Sequence, residues 1–439
     1  MMRAGLIAAL AAAAALTSAA CGEDGRNENI PPARPVESSG CSPVAFGGEG
    51  RPDFLIAVPT TLQGEYTGHG VQVTQAMKMV LAERGWRAGD YTVGLQVCDE
   101  VAASGDAASP TKCRRHARAF VRNRSVLVVH GPQTSTCAIE MVPILNRAPG
   151  GPLPMLSAGP SYLGLTRSGP GVGRDEPQKY FPTGQRSFLR IGPADDAQGA
   201  AAALYAKEEG ARRVFVLNDG EPYGFGVAEA FRLAAEGIGL SVEGTGRWDP
   251  KARELGALAD RVRRAGADTV YLGGYQFDNG PRLVKQLRET LGPEAQIIAP
   301  DAWNNLAVVE GAGAAAEGFS PTIAVLPNDE LPAAGRDFAA EFEDRFGARP
   351  CCYSVHTAQA THMMLDAIAD SGGSRAQVLE KLFEARVEDG YVGSFEIDRY
   401  GDTTLNTIAV YRIEDGRLRF QTAITPPPKL LARGLRRPR

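Results

Sequence analysis

Short apolar runs alternate with helix-length segments through most of this chain, and that alternation limits the fold more than any other feature. DFLIAVP (53–59), YTVGLQVC (91–98), SVLVVHG (125–131) and LPMLSAG (153–159) read as buried strands. Val73, Met77, Val80 and Leu81 recur at helical spacing before Gly85, a residue suited to end a helix. Lys112 to Val121 and Thr136 to Leu145 read as two further helices. A Gly/Pro-rich stretch, 168–186, breaks the rhythm, which then restarts. Asp195 to Glu209 is an Ala-rich helix, RRVFVLNDG (212–220) a strand and Gly226 to Gly237 a helix. LSVEGTGRW, a helix around 251–265, DTVYLGGY, a helix around 279–292 and AQIIAPDAW complete the second series.

Strands alternating with helices of this length make βα units and parallel sheets, and two series make two α/β lobes. The last part differs. Helices at about 330–346 and 355–371 precede YVGSFEIDRYGD and TIAVYRIEDGRLRFQT, which are expected to pair antiparallel.

The first segment has the layout of a secretory signal, with Arg3 ahead of a short apolar run from Leu6 to Leu16 and small residues at Ser18, Ala19 and Ala20. Cys21 follows directly and resembles the acylated cysteine of a bacterial lipobox; simple cleavage and release is the alternative. Residues 1–20 are therefore expected to be a signal peptide and 21–51, polar with Pro and Gly, a lipid-anchored linker. The tail, 425–439, ends in clustered Arg after a triple Pro and is expected to be a basic disordered end. A formal net charge of −4 over 439 residues argues against a nucleic-acid partner. Export would place Cys41, Cys98, Cys113, Cys137, Cys351 and Cys352 in an oxidising compartment, and their even number fits up to three disulfides. Cys351 and Cys352 are adjacent, so each is expected to have a distant partner. With no CxxC pair and no Cys/His cluster in the sequence, no metal is expected.

Ligands of open α/β sheets bind beyond the carboxyl ends of the strands. Those ends carry Tyr66 and His69, then Thr134, Ser135 and Thr136 at a helix start, then Pro160, Ser161 and Tyr162. In the second series they carry Tyr223, Tyr275, Asp301 and Trp303. Hydroxyls and helix N–H groups on one side face a carboxylate and aromatics on the other. That set suits a small zwitterion, its carboxylate at the helix N-terminus and its ammonium on Asp301. GxSxG, HExxH and Walker A patterns are absent from the sequence, so no catalytic residue and no cofactor is expected. His356 and His362 read as structural.

VVHGPQTS, VPILNRA and PMLSAGPSYLGLT resemble the type I periplasmic binding proteins, specifically the leucine/isoleucine/valine-binding family of transporter substrate-binding subunits. FLRIGPADDAQGAAAALYA, RRVFVLNDGEPYGFGVAEAF, VYLGGYQFDNGPRLVKQLRE, AEGFSPTIAV and VGSFEIDRYGD extend the match from about Phe54 to about Tyr411. The resemblance implies two Rossmann-like lobes joined by a three-crossover hinge, with crossovers near 187–192, 322–328 and 390–396. Lobe 1 is expected to comprise 52–189 plus 326–392 and lobe 2 190–325 plus 393–424. It places the carboxylate-binding serine at Ser135, with backbone help from Thr136, and the ammonium-binding groups at Gly159, Ser161 and Asp301. The aromatics fall on Tyr223 and Tyr275, with Tyr66 from the first loop, and Ser135 is expected to cap its helix as well.

The family's usual Glu is Asp here, one methylene shorter. Cys98 and Cys113 flank a lengthened segment, which points to a disulfide near the cleft rim, with Cys137 as an alternative partner. The implied function is an extracytoplasmic receptor that captures an amino acid or related small polar solute by cleft closure. It would be anchored to the cell membrane and partnered by the membrane permease of an ABC transporter. A sensor of the same fold, or a binder of an amide or urea-type solute, is the alternative; an enzyme is the third reading.

Overall fold

The computed structural model describes residues 30–432 apart from 104–107, 277–278 and 305. The signal segment and Cys21 lie outside the described residues, as do positions 433–439 of the tail.

The first sheet contains β1 (Phe54–Thr60), β2 (Arg87–Ala88), β3 (Tyr91–Asp99), β4 (Val126–His130), β5 (Met155–Ser157) and β6 (Phe188–Arg190), in the order β2-β3-β1-β4-β5-β6. All its pairings are parallel except the short β2-β3 edge. Helices α1 (Thr67–Glu83), α2 (Pro110–Arg122) and α3 (Ser135–Asn146) connect the strands. β1 and β4 are buried along their whole length, as strands covered on both faces must be, and this is why they read as unbroken apolar runs.

The chain crosses after β6 into α4 (Asp195–Glu208), β7 (Arg213–Asn218), α5 (Pro222–Gly237), β8 (Ser241–Arg247) and α6 (Gly256–Arg264). β9 (Thr269–Gly273), α7 (Gly280–Leu291), β10 (Gln296–Ala299), α8 (Leu306–Ala312) and β11 (Phe319–Ile323) follow. It then returns as α9 (Ala333–Phe346), α10 (Ser354–Ala369) and α11 (Arg375–Glu384), with α10 packed on α1 of the first unit. The hairpin β12 (Arg386–Gly390) and β13 (Gly393–Glu396) leads to β14 (Ile408–Glu414) and β15 (Arg417–Ile424), which close the second sheet in the order β15-β14-β11-β10-β9-β7-β8.

The five parallel strands of each sheet share one order: the second lies outside the first, and the third, fourth and fifth follow on the other side. Each sheet therefore has one topological switch point, between β1 and β4 and between β7 and β9, where ligands of such sheets bind.

Two Rossmann-like lobes with parallel central sheets were expected, and the fold has them. Four expectations are corrected. GSFE (β13) pairs with β12, whereas IAVYRIE (β14) pairs with the strand that follows it. Residues 30–50 are not a free linker. Ala33 and Val36 are buried, and the backbone bonds β3 through Ser42 N to Val97 O at 2.7 Å and Ala45 N to Leu95 O at 2.8 Å. The disulfides join Cys41 to Cys98 and Cys113 to Cys137, not Cys98 to Cys113 or Cys137. The first clamps this strap onto β3, and the second ties α2 to α3. The tail is docked as far as Ala432, with Leu430, Leu431 and Ala432 buried, because apolar side chains offset the Pro- and Arg-rich composition there.

The first crossover is fastened by charge. Arg190, at the end of β6, is 1% exposed and pairs through Nε with Asp402 Oδ1 at 2.9 Å, which joins the first crossover to the segment between β13 and β14. It also donates to Pro160 O at 3.1 Å, Tyr162 O at 3.2 Å and Thr166 Oγ1 at 2.6 Å, so the same guanidinium holds the loop after β5.

Candidate ligand cleft

The switch points of the two sheets face one another across a cavity of ≈ 70 Å³. That volume has room for a small solute, since one water needs roughly 10–15 Å³ on the same scale. The first unit contributes Thr61 and Tyr66 after β1, Gln133 to Ser135 after β4, and Gly159 and Ser161 after β5. The second unit contributes Tyr223, Tyr275 and Asp301, from the ends of β7, β9 and β10.

Thr134 caps α3. Its backbone is extended (φ −115, ψ 145), and its Oγ1 accepts Cys137 N at 3.2 Å. Ser135 was expected to be the cap but is the first helical residue. It lines the cavity, and its Oγ accepts Tyr162 N at 3.2 Å. The hydroxyl of Thr136 turns away and donates to Glu221 Oε2 at 2.9 Å, on the facing unit, while its backbone N–H, the group expected at the ligand, stays in the first turn of α3. Gly159 is needed for closeness: a Cβ there would stand 2.5 Å from Gln133 O.

Glu100 is fully buried beneath this loop and accepts Gln133 N at 3.1 Å. Burial pushes its carboxyl up to about 8, so it is protonated at neutral pH and adds no charge to the helix start. On the facing unit Asp219 fixes the loops. It accepts Glu221 N at 2.9 Å and Tyr275 N at 2.8 Å, and burial raises its carboxyl to about 7. Asp195, buried at the start of α4, is raised to about 8 for the same reason.

Asp301 sits in a single 3₁₀ turn after β10. Its two oxygens accept the hydroxyls of Tyr223, from its own unit, and Tyr353, from the other at 2.6 Å. Tyr66 donates across the cleft to Ala302 O at 3.2 Å. Thr136, Tyr353 and Tyr66 thus all bond the opposite unit, and the described form is closed. Tyr66, Tyr223 and Tyr275 form an aromatic wall, with ring centroids 6.2 Å apart for Tyr66–Tyr275 and 5.1 Å for Tyr223–Tyr275. Burial holds these phenols, and that of Tyr353, well above their ordinary range, so they act as neutral donors.

The structure gathers Ser135, Gly159, Ser161, Tyr66, Tyr223, Tyr275 and Asp301 at one cavity. Among the described residues neither Arg nor Lys lines it, so a bound carboxylate would rely on helix N–H groups and hydroxyls. Strand-end reasoning missed Cys352 and Tyr353, which follow no strand and lie in the turn leading into α10. His356 and His362 stay outside the cavity. Burial lowers His356 to about 4, and His362 Nε2 meets Tyr391 Oη at 3.0 Å.

Two closing α/β units around a small cavity with an aromatic wall and a few convergent polar groups define a solute receptor of the periplasmic binding class. The chain belongs to the periplasmic binding protein family, whose pattern it matches over residues 55–417. It is 25% identical over 378 residues to the Leu/Ile/Val-binding protein BraC3 of Rhizobium johnstonii, which covers 85% of this chain and 95% of that one. Among solved structures it is similar to the leucine-binding protein LivK of Thermotoga maritima (TM-score 0.71, 22% identity, 85% of this chain, 99% of that one). It is also similar to an R. palustris solute-binding protein in complex with 4-hydroxybenzoate (TM-score 0.70, 18% identity, 85% and 98% of the chains).

Proposed function

We propose that this protein captures a small amino acid, branched-chain-like in size, outside the cytoplasm and presents it in the closed form to an ABC transporter permease. The observation that carries the reading is the opposition across one cavity of the α3 N-terminus, with Ser135, and Asp301. A zwitterion fits that polarity: carboxylate on the helix side, near Ser135 and the N–H of Thr136, and ammonium on Asp301, with Gly159 and Ser161 beside it. Two tyrosine hydroxyls already donate to the Asp301 carboxylate. Each carboxylate oxygen has two lone pairs, so each accepts one hydroxyl and keeps a site for the ammonium.

In this reading 52–189 plus 326–392 and 190–325 plus 393–424 move as the two jaws, and ligand selects the closed arrangement. Residues 1–20 direct export, Cys21 carries the lipid anchor, and the two disulfides form in the oxidising compartment. The likeness to BraC3 supports the amino-acid class.

Titration calorimetry tests the assignment. L-leucine should bind the wild type, and Ser135→Ala and Asp301→Ala should each weaken binding at least tenfold. Binding of 4-hydroxybenzoate with no response to amino acids would replace the zwitterion with an aromatic acid, a reading that the tyrosine wall favours.

A further inference from the structure

Cys351 and Cys352 were each expected to pair at a distance, and neither does. Cys41, Cys98, Cys113 and Cys137 pair among themselves, which leaves these two as the free cysteines of the described residues. Their sulfurs lie 2.7 Å apart. That is closer than unbonded sulfurs pack, and closer than two sulfurs sharing one zinc, which metal–sulfur bonds of about 2.3 Å place roughly 3.8 Å apart. The backbone is already bent for contact between neighbouring side chains. Cys352 has φ +58, a conformation that side-chain-bearing residues adopt rarely. His69 lies within the same cluster, its ring nitrogen within 4.8 Å of both sulfurs. Cys352 and His69 both line the ligand cavity, and Tyr353, the next residue, reaches Asp301.

We propose that Cys351 and Cys352 form a vicinal disulfide in the exported protein, and that this ring is part of the wall of the ligand cavity. The inference rests on the extracytoplasmic reading above. The oxidant is a disulfide of the compartment. One cysteine thiolate attacks it and releases one thiol. The neighbouring thiolate then attacks the mixed disulfide, forms the Cys351–Cys352 bond and releases the second thiol. Two electrons pass to the external disulfide, and the two thiol protons end on its products. Cys351 is the better first nucleophile, because its contact with Cys352 lowers its thiol below the ordinary range while that of Cys352 is raised. Burial lowers the His69 imidazole and keeps it neutral beside the two sulfurs. Once formed, the ring replaces a thiol donor with a rigid, polarizable surface and fixes the turn that carries Tyr353.

The test alkylates exported full-length protein without reduction, then digests it with trypsin. The peptide Phe346–Arg375 holds no other cysteine. It should appear unalkylated and two hydrogens light, and should take two alkyl groups after phosphine reduction. Two alkyl groups without reduction would overturn the proposal, as would stoichiometric zinc in the unreduced protein. A Cys351→Ser/Cys352→Ser variant should melt near the wild type but lose at least threefold in L-leucine affinity. Unchanged affinity would refute the wall role. If leucine bound neither protein, the amino-acid reading would fail, while the peptide mass would still decide the bond.

Discussion

Tyr353→Phe separates closure from folding. The phenol of Tyr353 reaches across the cleft to Asp301 Oδ2 at 2.6 Å, so its bond exists only when the jaws are shut. A hydrogen bond to a charged group contributes about 1.5–3 kcal/mol. Removing the hydroxyl keeps the buried ring and leaves Asp301 its bond from Tyr223, so the ligand-free fold should be nearly unaffected. The loss should fall on the closed state and weaken ligand affinity about 10- to 150-fold. Calorimetric titration of L-leucine into both proteins reads this, beside melting of each without ligand. Affinity within about twofold of wild type would refute the role of the Tyr353–Asp301 contact in closure. A ligand-free melting temperature that fell as far as the liganded one would show that the hydroxyl supports the fold instead.

Three further outcomes are expected. Gly159→Ala brings a methyl to 2.5 Å from Gln133 O and should abolish ligand-dependent stabilisation while circular dichroism stays unchanged. Asp402→Ala leaves Arg190 buried without its carboxylate and should cost about 3–5 kcal/mol in urea unfolding, since a stranded buried charge is expensive. Glu100 sets a pH dependence. Its folded carboxyl titrates at about 8 against 4.5 ordinarily, so between those values the folded state holds the extra proton and stability falls as pH rises. Glu100→Gln should flatten that fall and be more stable than wild type at pH 9, by on the order of a few kcal/mol. A variant as pH-sensitive as the wild type would clear Glu100 of the effect.

The parallel strands were legible because both their faces are covered, which forces the continuous apolar runs of β1 and β4. The cleft was legible for a related reason: strand ends at a switch point must converge, and Ser135, Tyr223, Tyr275 and Asp301 do. What was hidden depends on geometry that composition does not carry. Three successive hydroxyls at 134–136 cannot be ranked without backbone angles, so the cap fell to Thr134 and Thr136 turned to the other unit. The strap at 30–50 looks like a linker because its buried apolar residues, Ala33 and Val36, follow no strand or helix period, and backbone bonds and Cys41 hold the rest. Tyr353 comes from a turn between two helices, beyond the reach of any strand-end rule.

The central claim is that the cavity between Ser135 and Asp301 holds a small zwitterion. The most direct measurement is a thermal-shift screen of the protein against amino acids, amides, urea, small peptides and sugars. A ligand present at a hundred times its Kd stabilises the fold by about 2.7 kcal/mol. The account predicts a rise in melting temperature with a branched-chain-sized amino acid that is absent in Asp301→Ala. A rise with an amide or another uncharged solute, and none with any amino acid, would contradict it.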